Sequence, residues 1–254
     1  MGVPCLSTIL NFVEQGDYPK TWNDPEVFDD TERARKEKVF GICKAALIKA
    51  IVEVAGEEKN AEILWTASNA EQPGGPFVHR MVNWIQSYVE EVGALGDKHE
   101  KLRDDLVIAA SLSLGNLCRR GNCGFIHPLT KYCSNVILGH YATALLSPPY
   151  ALAPLLVSPL FLSPEADLKL KHAVLGFLKN LAQSASLSPI IHKTLGDSGV
   201  VQQLSNSGIW DERSDVMADV VQLNAINVVK HLCSVDGEPS IGLFTPLHIF
   251  IFWF

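Results

Sequence analysis

Few residues in this chain are placed to do covalent chemistry. Cys118, Cys123, His127 and Cys133 form its densest run of soft metal ligands. Their spacings match no standard zinc pattern, in which paired ligands recur about two to four residues apart, and Cys118 falls on an apolar helical face. His172 and His231 sit on helices beside apolar residues, the usual setting of a structural histidine. No Gly-rich phosphate loop, nucleophile elbow or paired-histidine zinc helix occurs. The residues therefore predict no catalytic group, metal or cofactor, and a protein that works by binding rather than as an enzyme.

Charge bounds the partner. The net charge of −7 disfavours a sequence-independent nucleic-acid binder, which needs a basic surface. Between Glu53 and Asp105 there are eleven acidic against five basic residues, so this part is more acidic than the whole and suits a basic peptide or tail. At 47% hydrophobic and 19% charged, the chain has the composition of a folded protein and not of a disordered one. Six cysteines in 254 residues are too sparse for a disulfide framework. Cys43, Cys118 and Cys233 read as reduced, buried thiols of a cytoplasmic protein. Residues 1–15 lack the basic start and small-residue cleavage site of a signal peptide. The apolar end HIFIFWF is too short to span a bilayer, so no membrane insertion is expected.

The elements that must position these residues are helical throughout. No stretch alternates with period two, and no hairpin signal separates Val/Ile-rich runs. Residues 1–30 are poorly patterned, with one short helix over 6–15. From Thr31 a strong helix carries Phe40, Cys43, Leu47, Ile51 and Val54 at steps of 3, 4, 4 and 3, and Gly56 ends it. A shorter helix follows over 59–70. Pro76 opens another with Phe77, Met81, Trp84, Tyr88 and Val92 on one face. Helices over 97–120 and 128–146 come next. Five prolines between 147 and 164 exclude a continuous helix there, yet the apolar content predicts short packed helices rather than a linker.

Residues 163–233 carry the clearest pattern. Ser163 is the expected N-cap, with Pro164 in the first turn. Leu168, Ala173, Leu175, Leu178 and Leu181 supply an apolar face. A helix over 189–195 is stopped by Gly196, and another starts after Asp197-Ser198-Gly199. The last, over 215–233, is expected to face inward with Val216, Val220, Leu223, Ile226 or Asn227, Val229 and Leu232. Residues 109–118 align with 173–182: both read Ala, a Leu five places on, then Asn-Leu and a small residue. The helix ending at Cys233 gives a similar close around His231-Leu232-Cys233. The offsets are 64 residues (Asn116 to Asn180) and 51 (Asn180 to His231), above the roughly 40–47 of an uninterrupted helical repeat. The proline-rich insert and residues 209–214 account for the excess.

Asn180-Leu181-Ala182, Ile190-Ile191, Leu195-Gly196, Ser198-Gly199-Val200-Val201 and Leu204 together resemble the armadillo repeat. Its third helix ends in Asn-Leu-Ala before a short first helix and a Gly-led second one. The repeat-level resemblance covers residues 97–235. Within armadillo proteins, residues 165–233 are similar to fungal relatives of the small-GTPase GDP-dissociation stimulator, smg GDS. The expected fold is thus all-α, an armadillo/HEAT-like right-handed helical solenoid. It divides into residues 1–30, a repeat domain over 31–235 with the insert at 147–164, and an atypical apolar tail over 236–254. Family members have more repeats than this chain holds, which implies a partial array, and the tail looks foreign to them.

The resemblance implies a concave groove lined by Asn116 and Asn180, whose amides would hold an extended backbone, with Asn227 and His231 as the counterparts on the last helix. The alternative is that these side chains only tie helices together. The Trp slots of nuclear-import receptors are replaced by Leu112 and Gly176, which disfavours an importin-like use. An smg GDS likeness implies stimulated GDP release from Rho- and Ras-type GTPases with polybasic, prenylated tails. An acidic patch of Asp211, Glu212, Asp215 and Asp219 would meet the tail, unless it is simply a solvated helix start. A generic scaffold or peptide-binding adaptor without exchange activity is the other reading.

Overall fold

The computed structural model describes residues 3–15, 30–65, 74–95, 104–119, 131–211 and 216–233. Among them the structure is all-α, with no strand. The order is α1 (Val3–Glu14), α2 (Asp30–Gly56), α3 (Glu58–Trp65), α4 (Pro76–Leu95), α5 (Asp104–Cys118), α6 (Lys131–Leu146), α7 (Ala153–Leu156), α8 (Leu168–Gln183), α9 (Pro189–Asp197), α10 (Val200–Asn206) and α11 (Val216–Cys233). A 3-10 turn, Ser184–Leu187, joins α8 to α9.

Four long helices form a row. α2 packs on α5, α5 on α8, and α8 on α11. The helices aligned by sequence are therefore spatial neighbours in succession. α5 and α8 run parallel: Tyr88 on α4 donates to Asp104 at the start of α5 (2.9 Å) and feels Asp167 at the start of α8, while Gly115 near the end of α5 lies against Phe177. α8 is buried on nearly every side, through Leu170, Val174, Leu175, Phe177, Leu178, Leu181 and Ala182. That is what a helix sandwiched between two others requires, and it exceeds the single apolar face expected.

The connectors follow their local chemistry. Asp167, not Ser163, is the N-cap of α8, its carboxylate accepting from Lys169 N at 2.8 Å. The prolines place residues 158–166 in turns and delay the helix to Leu168. The proline-rich stretch is packed: Leu152, Leu156, Phe161 and Leu162 are fully buried, and Phe161 stacks on Tyr88 at 5.6 Å. Gly199 enters α10 with φ +75°, a conformation that disfavours any side chain. On α4, Phe77, Met81, Trp84, Tyr88 and Val92 are all buried as spaced.

Two faces depart from expectation. On α11 the buried side is Ala218, Val221, Asn224, Ala225, Val228 and Leu232, whereas Val216, Val220, Leu223 and Ile226 are exposed. The helix is apolar on two sides, so spacing alone could not choose the one that meets α8. On α2, Cys43 is exposed, while Phe40 is buried against Phe12 of α1 and Ile51 and Ala55 are buried further along.

Close approach depends on glycine. A Cβ on Gly115 would lie 3.2 Å from Phe177 Cα, so any side chain there pushes α5 and α8 apart, whereas one on Gly41 of α2 would meet nothing within 4 Å. Gly41→Ala should raise stability by up to about 1 kcal/mol through helix propensity. Gly115→Ala should lose about 1–3 kcal/mol despite the same propensity gain. Urea unfolding of the two variants checks this; the same sign for both would refute the close packing.

Candidate functional site

Each interface in the row carries an asparagine facing a glycine. Asn116 Nδ2 donates to Val52 O of α2 at 3.4 Å and sits 3.4 Å from where a Gly56 Cβ would be. Asn180 Nδ2 donates to Gly115 O of α5 at 3.0 Å, 3.3 Å from the Gly115 Cβ position. Asn224 Nδ2 lies 3.9 Å from the Gly176 Cβ position, and its Oδ1 accepts from Lys179 Nζ at 2.9 Å. At Gly115 a Cβ would crowd the Asn180 amide and Phe177, whereas at Gly56 and Gly176 it would make ordinary contact. Asn180 is buried, and its Oδ1 has no partner among the described residues. Asn116 is half-buried and borders solvent.

Sequence alignment by helix ends picked Asn227 and His231 on α11. The structure puts Asn224 at the α8 interface instead. Asn227 is half-buried, and its amide donates to Leu223 O of its own helix at 2.8 Å. The available signal was chemical: Asn224, followed by the small Ala225, interrupts an apolar run, as Asn180 does.

Along these contacts runs a strip of partly exposed side chains: Leu112 and Asn116 on α5, Arg119 beyond it, His172 and Lys179 on α8, and His231 on α11. Its electrostatics are cationic. Burial, then the nearby Arg119, lowers the Lys179 pKa. Burial, then Lys179, lowers that of His172. His231 is lowered by burial, then Lys230 and Lys179. Among the described residues no carboxylate pairs with Lys179 or Arg119. Lys179, steadied by Asn224, is thus placed to meet a carboxylate or other anionic group, in a chain that is acidic overall. No sequence feature marked Lys179, because it occurs between ordinary apolar positions and its neighbours come from three helices.

Of the acidic candidates, Asp211 lies exposed in the turn after α10 and Asp219 exposed on α11. Glu212 and Asp215 lie outside the described residues. Asp219 shares its side of α11 with exposed Val216, Val220 and Leu223, away from the α8 contact. The acidic-apolar face adjoins the cationic strip, because His231 follows Val220 by three turns on nearly the same side of α11.

A third polar cluster ties α1 to α4. Glu14 Oε1 receives Arg80 Nε and Trp84 Nε1, both at 2.6 Å, and Arg80 also donates to Asn11 Oδ1 at 2.6 Å. These residues border an open pocket of about 580 Å³ lined by Glu14, Pro76, His79, Arg80 and Asn83. Tyr150 Oη contacts the His79 ring at 3.0 Å, and burial pushes its pKa up to about 12, so the phenol stays protonated. The Glu14 and Asn11 contacts fix α1 against α4. Cys118 is buried and its thiol pKa raised by burial, which keeps it protonated too; Cys123 and His127 lie outside the described residues. Among the described residues no helix is long and apolar enough to cross a membrane.

Comparison with known proteins returned no match: no family model, no curated protein and no solved structure is similar to this chain.

Two measurements follow from the strip. Asn180→Ala should destabilise by about 1–3 kcal/mol, having removed a buried interhelical bond, and Asn116→Ala by less, its bond being longer and nearer water. Equal losses in urea unfolding would contradict this difference. For His172 and His231 the folded pKa lies below the ordinary 6.5. The unfolded chain therefore takes up protons first as pH falls, and stability held above pH 6.5 declines below it. The urea midpoint should drop between pH 7.5 and pH 5, and drop less in a His172→Gln/His231→Gln variant. An identical drop in both proteins would show that other groups govern it.

Proposed function

We propose that this chain is an armadillo/HEAT-like right-handed solenoid that works as a scaffold, holding an acidic protein segment along the strip formed by α5, α8 and α11. The observation that carries this reading is Lys179: a half-buried ammonium, fixed by Asn224 and surrounded by Arg119, His172 and His231, with no carboxylate partner among the described residues. An acidic segment would supply the missing counter-charge, and Asn116 is exposed enough to meet its backbone. The row of long helices and the repeated Asn–Gly contacts support a stack of repeats that buries its faces between neighbours. The free cysteines Cys5, Cys43, Cys118 and Cys233 support a cytoplasmic setting.

A second reading, regulation of small GTPases by GDP-dissociation stimulation, rests on the smg GDS likeness. The exposed side of α11 favours it: Val216, Val220 and Leu223 beside Asp219, with Asp211 at the approach, suit a prenylated, polybasic tail. On this reading binding energy favours a GTPase state that holds nucleotide poorly. The strip around Lys179 opposes it, because a polybasic tail would be repelled there.

Fluorescence anisotropy with a labelled Glu-rich, Leu-spaced peptide separates the two, paired with mant-GDP release from prenylated Rho and Ras GTPases. The scaffold reading predicts salt-sensitive peptide binding that Lys179→Glu weakens by about tenfold or more, with no change in GDP release. Accelerated release that Asp219→Lys abolishes would establish the second reading. Peptide binding indifferent to Lys179→Glu would overturn the first.

A further inference from the structure

The strip across α5, α8 and α11 holds two imidazoles with no structural duty. Elsewhere the ring of His79 meets Tyr150 Oη at 3.0 Å, and His192 Nε2 donates to Leu232 O at 2.8 Å, so those histidines tie elements together. His172 and His231 have no hydrogen-bond partner among the described residues, and both are half-buried beside Lys179. Histidine is the side chain that changes charge between pH 5 and 8, so two of them at a binding surface make its charge depend on pH.

The charges around the two rings decide the sign. α5 carries Asp104 and Asp105 in its first turn, with Arg119 beyond its other end. α8 carries Lys169, Lys171 and Lys179, and α11 carries Asp219 and Lys230. On α9, Lys193 pairs with Asp197. Asp104 accepts from Tyr88 at 2.9 Å, and the Lys171 ammonium is buried and donates to Pro164 O at 3.2 Å. The thiols of Cys118 and Cys233 are kept protonated by burial. What acts on the imidazoles besides burial is cationic: Lys179 on His172, and Lys230 and Lys179 on His231. Lys179 is held in place by Asn224 at 2.9 Å. The empty strip therefore keeps both rings neutral at pH 7. A carboxylate brought among these groups acts the other way, since an opposite charge nearby favours the imidazolium.

We propose that binding at the strip is proton-coupled: His172 and His231 take up protons as an acidic segment arrives, so acidification from pH 7.5 to pH 5.5 tightens the complex. The proposal rests on the scaffold reading and adds how that binding is regulated. By linkage, whatever makes the bound chain hold more protons makes the protonated chain bind more tightly. Glutamate side chains, with an ordinary pKa of about 4.3, stay largely ionised across this range, so the change belongs to the protein.

The test uses the full chain and the labelled Glu-rich, Leu-spaced peptide, with anisotropy at pH 7.5, 6.5 and 5.5 and circular dichroism to confirm folding at each. Affinity should rise about fivefold or more from pH 7.5 to pH 5.5, and less than about twofold in His172→Gln/His231→Gln. Calorimetry at pH 6.5 in buffers of different ionisation heat should read net proton uptake on binding. Binding that Lys179→Glu weakens, but that shows neither pH dependence nor proton uptake, would overturn this proposal and leave the scaffold standing. An equal pH dependence in the double variant would assign the protons to other groups and overturn it too. Absence of peptide binding at every pH would remove the scaffold reading and this proposal together.

Discussion

The contact between Gly115 and Asn180 is the constraint on which the rest of the structure depends. A helix pair normally stands off by the width of its side chains, about 8–10 Å between axes. At Gly115 the α8 backbone comes close enough that a Cβ would lie 3.2 Å from Phe177 Cα, and the Asn180 amide closes the gap by bonding to the Gly115 carbonyl at 3.0 Å. This single approach fixes α8 along α5, and α8 in turn seats α11. The looser contacts at Gly56–Asn116 and Gly176–Asn224 follow the same design with more room. Burial of Leu114, Leu117, Leu175, Phe177 and Leu178 supplies most of the driving force, since these side chains leave water completely. The asparagines and glycines add register, because an apolar interface alone tolerates sliding.

That register creates the strip. Lys179 follows Leu178 and precedes Asn180, so the turn that buries its neighbours leaves its own side chain half-buried at the edge of the interface. Arg119 arrives from the end of α5, His172 from two turns earlier on α8, and His231 from α11. Of the three helices only α8 is basic by itself, with Lys169, Lys171 and Lys179 and no carboxylate. Arg119 and His231 gather beside Lys179 because three helices stand side by side, and an acidic-apolar face adjoins them on α11. A net charge of −7 therefore says little about what any one face attracts.

Much of the helical layout was legible in the sequence because it is local. Pro76 and Pro189 open helices, Gly56 ends one, and Gly199 leads into another, each through backbone preferences that act within a turn or two. The buried face of α4 was legible because only one side of that helix is apolar. α11 was not, since Val216, Val220 and Leu223 keep as good a helical rhythm as Val221, Ala225 and Val228, and the choice belongs to α8. Ser163 lost the N-cap of α8 to Asp167 because the prolines hold the chain in turns until Leu168. Asn116 and Asn180 stood out as polar residues in repeated surroundings. Asn224 and Lys179 did not, because what sets them apart is a neighbour 45 residues away in sequence.

The Gly115–Asn180 approach can be observed directly in solution. An isotope-edited nuclear Overhauser spectrum of the full chain should show cross-peaks from the Gly115 α-protons to Phe177 and to the side-chain amide protons of Asn180, with the latter slow to exchange with water. Their absence, with the Asn180 amide exchanging as freely as an exposed one, would contradict the packing of α5 on α8 and with it the strip built upon it.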